Sequence, residues 1–256
     1  MEPKRLAATQ GLQWIKKGFV LFMKAPLLWI VLLAICFVTA AAVSAIPVIG
    51  EPLVSLLMPV VVIGLMAGCR SLELGDELEL MHLFCGFVRH TANLITLGGI
   101  ALVSQYLIFG AMMMSGGTGL VDMLRGSQAP EGQEVVQQAV ANAGASVMIG
   151  LVLFSVLLMA MQFAPMLVYF RGIPPLHAMK LSLRAFTHNM GAMLIYGMAF
   201  TLLALLASMP MMLGWLILMP MVFTSLYASF CDIFPPELIA VTEATDADGR
   251  DDQTPC

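Results

Sequence analysis

Hydrophobic and polar positions alternate along this chain in long blocks. Six apolar runs, at about 26–46, 53–69, 93–114, 147–170, 190–209 and 212–231, contain no charged residue. A helix of about 20 apolar residues crosses a bilayer core, and in lipid a helix satisfies its own backbone hydrogen bonds. The pattern therefore predicts six transmembrane helices. Between them lie three shorter stretches with a different rhythm. Leu12, Ile15, Phe19 and Phe22 recur at helical spacing, with Gln13, Lys16 and Lys17 on another face and Trp14 alongside. Leu80, Phe84, Phe87 and Val88 form a second apolar face, opened by Asp76, Glu77 and Glu79 and closed by Arg89 and His90. Leu176, Met179, Leu183 and Phe186 form a third, opposite His177, Lys180 and Arg184. Each is read as an amphipathic helix lying on the membrane surface.

The segments GFVLFMKAPLLWI, GFVRHTANLITL and LRAFTHNMGAMLIYG each place a basic or imidazole residue, Lys24, His90 or His188, just before a span. The second span of each pair carries a proline: Pro59, Pro165 and Pro220. The expected fold is an all-α integral membrane protein of three tandem units, each a surface helix followed by two spans. The units run parallel, whereas many secondary transporters use inverted repeats. Residues 1–235 form the membrane domain. Residues 236–256 are acidic and without apolar period, and are expected to be a disordered tail. Val136, Val140, Ala143 and Val147 predict that the fourth span begins before the apolar run itself.

Composition agrees, with 60% hydrophobic and 11% charged residues. The net charge of −4 conceals a segregation of signs. Lys4, Arg5, Lys16, Lys17 and Lys24, then Arg70 and Arg89, then Arg171, Lys180 and Arg184 all fall on one side; the opposite loops carry Arg125 alone. That bias predicts both termini in the cytoplasm. Cys36, Cys69, Cys85, Cys231 and Cys256 show no CxxC or metal-type spacing and are read as reduced.

Candidate chemistry is sparse. Trp14, Lys16, Lys17, Lys24, Arg89, His90, Lys180, Arg184 and His188 are expected at the membrane surface, against lipid headgroups. Gln105 and Gln162 are the strongest polar groups inside spans, suited to a solute path or to hydrogen bonding between helices. Gly64 and Gly68 form a GxxxG packing motif. Thioethers clustered at Met112 to Met114 and at Met209, Met211 and Met212 suit either Cu(I) or the filling of irregular contacts. No histidine lies deep in a span, so a haem is not expected. No span carries an ionisable residue, and no hydrolase or nucleotide-binding motif occurs. Catalysis, a cofactor and nucleic-acid binding are therefore not expected.

The opening QWIKKGFVLFMKAPLLWI resembles an uncharacterised family of six-span bacterial inner-membrane proteins. More distantly it is similar to the membrane part of some glycerophosphodiester phosphodiesterases. The resemblance spans most of the chain from Leu12 to Pro236. It implies the fold but no activity, because it lacks the soluble phosphodiesterase domain. Two roles follow as expectations. The first is a non-catalytic protein organising lipid, a membrane-protein partner or a homo-oligomer. The second is passive or weakly coupled transport of an apolar or amphipathic solute, which a polar cavity reaching both glutamines would favour.

Overall fold

A computed structural model describes residues 2–117, 133–209 and 211–235. Every regular element among them is helical. In chain order they are α1 (Gln10–Lys24), α2 (Pro26–Ser44), α3 (Gly50–Leu74), a 3-10 turn (Leu80–Phe84), α4 (Cys85–Val88), α5 (Thr91–Met112), α6 (Gln133–Met161), α7 (Ala164–Arg171), α8 (Pro175–His188), α9 (Met190–Ser208) and α10 (Trp215–Ile233). A π-turn over Met113–Gly117 extends α5. Six helical stretches are long and apolar enough to cross a membrane, with α6 and α7 together supplying the fourth. The tail, and most of the loop before α6, lie outside the described residues.

Local chemistry accounts for several boundaries. Pro26 occupies the first turn of α2, where its missing N–H costs nothing, and Ala25 breaks the chain direction between α1 and α2. Gly75 ends α3 in the left-handed conformation at φ 96°, a region open to glycine. Pro59 and Pro220 sit inside α3 and α10 without ending them. Pro165 falls where the fourth span divides, in the first turn of α7. There the Phe163 N–H donates to Ser182 Oγ at 3.1 Å, and the Ser182 hydroxyl donates to the Met159 carbonyl at 2.8 Å. Ser182, fully buried on α8, thus replaces one i→i−4 helical bond with a two-step relay.

The core sits off-centre. In α3 and α10, 44% and 56% of the apolar window is buried, against 11–22% in the other spans. Ile63 and Met66 of α3, Met166 and Leu167 of α7 and Ile233 of α10 are fully buried. Phe163, Phe170, Phe230 and Phe234 form an aromatic cluster linking α7 to α10. The buried part of each central helix is the half that leads toward the three short amphipathic elements. We call this the basic end, since Lys24, Arg70, Arg89 and Arg171 all lie there.

The order of short helix, span, span recurs three times, and each short element packs on the unit before it. The 3-10 turn and α4 pack on α3, and α8 packs on α6 and α7. The first closes on the last, with α1 against α10 and α9. The arrangement is therefore cyclic. Small residues permit it: Gly18, Gly86 and Ala185 are all buried, and each precedes a phenylalanine. A Cβ on Gly18 would lie 2.6 Å from the Ser225 backbone nitrogen, and one on Gly86 would collide with the Val60 carbonyl.

Candidate functional site

Away from the basic end the helices part. A cleft of about 890 Å³ opens between α3, α5, α6, α7 and α10. Its walls are apolar, with Val54, Met58, Phe109, Phe154 and Leu158 among them. Its polar groups are Glu51, Ser44, Ser55, Tyr106, Gln105 and Gln162. Pro59 and Pro165, both buried, mark the base. From Glu51 at the rim to Val62 at the base, α3 rises about 16 Å, roughly half of a bilayer core. Below that level the packed core closes the cleft.

The two glutamines predicted from sequence meet here. Gln105 is exposed to the cleft from α5, and Gln162 occupies the break between α6 and α7. Neither side-chain amide bonds to another described residue, so the cross-helix hydrogen bond expected of a structural glutamine is not formed. Neither amide is sealed away in the core, since Gln105 is exposed and Gln162 half-buried. Both amides therefore stand ready for a ligand or for water.

The residues expected at the lipid surface divide. Lys16, Arg89, His90, Lys180 and His188 are exposed. Lys24 donates to the Leu72 carbonyl at 2.5 Å, and Arg184 pairs with Glu2 at 3.0 Å. Trp14 is a correction. It is 0% exposed, stacked edge-on against Tyr196, and its indole N–H donates to Asp232 Oδ2 at 3.0 Å. Lys17 is tied to the same carboxylate at 2.7 Å, as is Gln10 at 2.9 Å. The helix α1 turns Gly11, Trp14, Gly18 and Phe22 toward the protein, while Leu12 and Phe19 of the predicted stripe, with Val20 and Met23, stay exposed. The periodicity of a stripe cannot distinguish lipid from protein as its neighbour.

Other expectations change in the same way. Gly64 and Gly68 do not seat a second span: a Cβ there would meet Leu83 and Leu78, at 2.6 Å and 2.5 Å. The motif admits the turn before α4. His82 is buried and accepts from the Glu79 N–H at 3.0 Å, so it caps that turn. Cys36, Cys69 and Cys231 are free thiols, in keeping with the reduced reading, and Cys256 lies outside the described residues. Met112 packs on Gly150, filling a gap, while Met114, Met209, Met211 and Met212 are exposed. No cluster of three or more His, Cys, Asp or Glu occurs among the described residues.

Sequence reasoning missed Asp232, Asn189 and Ser182. Asn189 is buried; its Oδ1 accepts from the Leu6 N–H at 2.8 Å and its amide donates to the Lys4 carbonyl at 3.0 Å. A lone carboxylate or amide next to an apolar run was the available signal. Charge at a span end reads first as a solvated boundary, which hides the internal role of Asp232.

The chain is similar to a probable inner membrane protein of Burkholderia thailandensis, with 29% identity over 91% of this chain and 94% of that protein. No protein-family model and no solved structure matches it.

Proposed function

We propose that the protein is a multi-pass inner-membrane carrier for a small amphipathic molecule, held in the cleft between α3, α5, α6, α7 and α10. The observation that carries this reading is the convergence of Gln105 and Gln162 on one apolar-walled cavity of about 890 Å³, with their amides uncommitted. Apolar walls suit a hydrocarbon portion, and the two amides suit a polar head. The helix break at Gln162 supports it further, because discontinuous membrane helices are a recurrent feature of solute sites near the bilayer midplane. The absence of ionisable residues from the apolar runs favours passive over ion-driven movement.

The inner-membrane location rests on six membrane-length helices and on the name of the Burkholderia relative. The Lys and Arg bias puts the basic end and both termini in the cytoplasm, so the cleft opens outward.

The test is native mass spectrometry of the full chain released from nanodiscs of bacterial inner-membrane lipid. A stoichiometric small ligand should be retained by the wild type and lost from the Gln105→Leu, Gln162→Leu double variant. Equal retention by both would sink the reading.

A further inference from the structure

A second hollow lies against a different face of α10. The cleft takes Phe223 and Leu226 from this helix, whereas a groove of about 890 Å³ takes Met221, Ala228 and Asp232, which helical spacing sets in one line. Its other walls come from α1, α9 and the end of α3. From Asp232 to Met221 the helix rises about 16 Å, close to half of a bilayer core. The groove is therefore as deep as the hydrocarbon of one leaflet. Its ends differ in kind. Leu203 and Met221 lie at the deep end, with Ala228 and the exposed Phe19 and Val20 along the sides. Lys16, Lys17, Lys24, Glu73 and Asp232 gather at the mouth, on the basic end.

Three ammonium groups at the mouth face two carboxylates, which leaves it net positive. The carboxylates are already engaged. Asp232 accepts from Gln10, Trp14 and Lys17, and Glu73 accepts from the Tyr227 hydroxyl at 2.7 Å. Two of the cations are not. Lys16 is exposed and makes no hydrogen bond or ion pair with a described residue. Lys24 gives one N–H to the Leu72 carbonyl, and an ammonium carries three. What the mouth has left to offer is positive charge, at the level where the apolar groove begins. An aliphatic chain ending in an anionic headgroup matches both parts, whereas a free anion would leave the groove unfilled.

We propose that this groove seats one anionic phospholipid of the leaflet at the basic end, with its headgroup on Lys16 and Lys24 and an acyl chain between α1, α9 and α10. The lipid then spans the seam at which the first unit closes on the last, and helps to hold α1 in place.

The experiment uses the full chain in nanodiscs of phosphatidylcholine and phosphatidylglycerol, and native mass spectrometry reads the lipid retained on release. The wild type should keep one phosphatidylglycerol in preference to phosphatidylcholine. The Lys16→Gln, Lys24→Gln double variant should lower that retention at least about tenfold, and Lys16→Gln alone about fivefold, the factor expected of one lysine near an anionic membrane surface. Leu203→Trp, which narrows the deep end without touching a charge, should lower it too. In phosphatidylcholine alone Lys16→Gln should unfold as the wild type does, which separates lost lipid from lost fold. The Gln105→Leu, Gln162→Leu variant should keep the lipid, so this site and the cleft are tested apart. The proposal is overturned if the wild type retains both lipids equally, or if the double lysine variant retains as much phosphatidylglycerol as the wild type. It is also overturned if Lys180→Gln, at an exposed lysine elsewhere on this end, lowers retention as much, or if Leu203→Trp retains the lipid in full.

Discussion

Trp14 on the first helix donates its indole N–H to Asp232 on the last, 3.0 Å away and 218 positions along the chain. The same carboxylate receives Gln10 and Lys17, so one side chain closes the ring of three units. Replacing Asp232 with Ala removes three donors' acceptor at once and leaves the Trp14 N–H unpaired in a fully buried position. A loss of about 3 kcal/mol is expected, within the range for hydrogen bonds to a charged group. Thermal unfolding in nanodiscs measures it. Tryptophan emission gives no shift if Trp14 was never held by Asp232.

Lys16 and Lys17 are adjacent but not equivalent. Lys17→Glu places a second carboxylate beside Asp232, while Lys16→Glu alters an exposed position without a partner. Lys17→Glu should lower stability, and Lys16→Glu should leave it within about 0.5 kcal/mol. The Lys17 pair is half-exposed, so its removal by Lys17→Gln should cost under about 1 kcal/mol. Were both lysines merely headgroup contacts, the two Glu variants would behave alike in anionic nanodiscs.

Gly18 and Gly99 test the cyclic packing. A Cβ at Gly18 would come 2.6–2.7 Å from the backbone and Cβ of Ser225, and nothing lies within 4 Å of one at Gly99. Gly18→Ala should destabilise by about 1–3 kcal/mol, as overpacking does. Gly99→Ala should be neutral or slightly stabilising, since alanine favours a helix. Unfolding curves of the two variants, compared directly, decide whether α1 truly seats on α10.

The spans were legible because a bilayer demands the same apolar length from every crossing helix, whatever its neighbours. The threefold recurrence was legible through Gly18–Phe19 and Gly86–Phe87, and through a proline in each second span. What could not be read was the destination of an apolar stripe. Trp14 serves a contact with elements far along the chain, which depends on how the units close, and Gly64 and Gly68 admit the turn that follows their own helix. Ser182 carries no periodic signal at all; only the interrupted helix beside it gives its hydroxyl a role. The glutamines were visible as candidates, because a polar group inside an apolar run stands out. That they share one cavity was not, since it required the order of the spans in space.

Orientation is tested by labelling single cysteines in a cysteine-free background. Positions 117 and 133 should react with an impermeant reagent from outside the cell. Position 245 should react only after the membrane is opened. Gly75 at φ 96° is a poor reporter site, because a side chain there is strained, so Asp76 takes its place. Outside labelling at position 76 or 245 would reverse the orientation and turn the cleft inward.

Ser182 and Pro165 are coupled through the break in the fourth span. Ser182→Ala leaves the Phe163 N–H and the Met159 carbonyl without the hydroxyl that joins them. Phe163 is fully buried, so a cost of about 1–3 kcal/mol is expected. Pro165→Ala restores an N–H and removes the ring that opposes a continuous helix. In that background the 159–163 bond can re-form directly, and Ser182→Ala should then cost at least about 1 kcal/mol less than it does alone. Additive effects in this double-mutant cycle would mean that the break is fixed by packing around Phe163 and not by the proline and serine together. Because Gln162 sits on the break, healing the helix should also shift its amide relative to the cleft. The Pro165→Ala variant should therefore lose retained ligand even where its stability is unchanged. A variant with a healed helix and undiminished ligand would separate the broken span from the cleft's function.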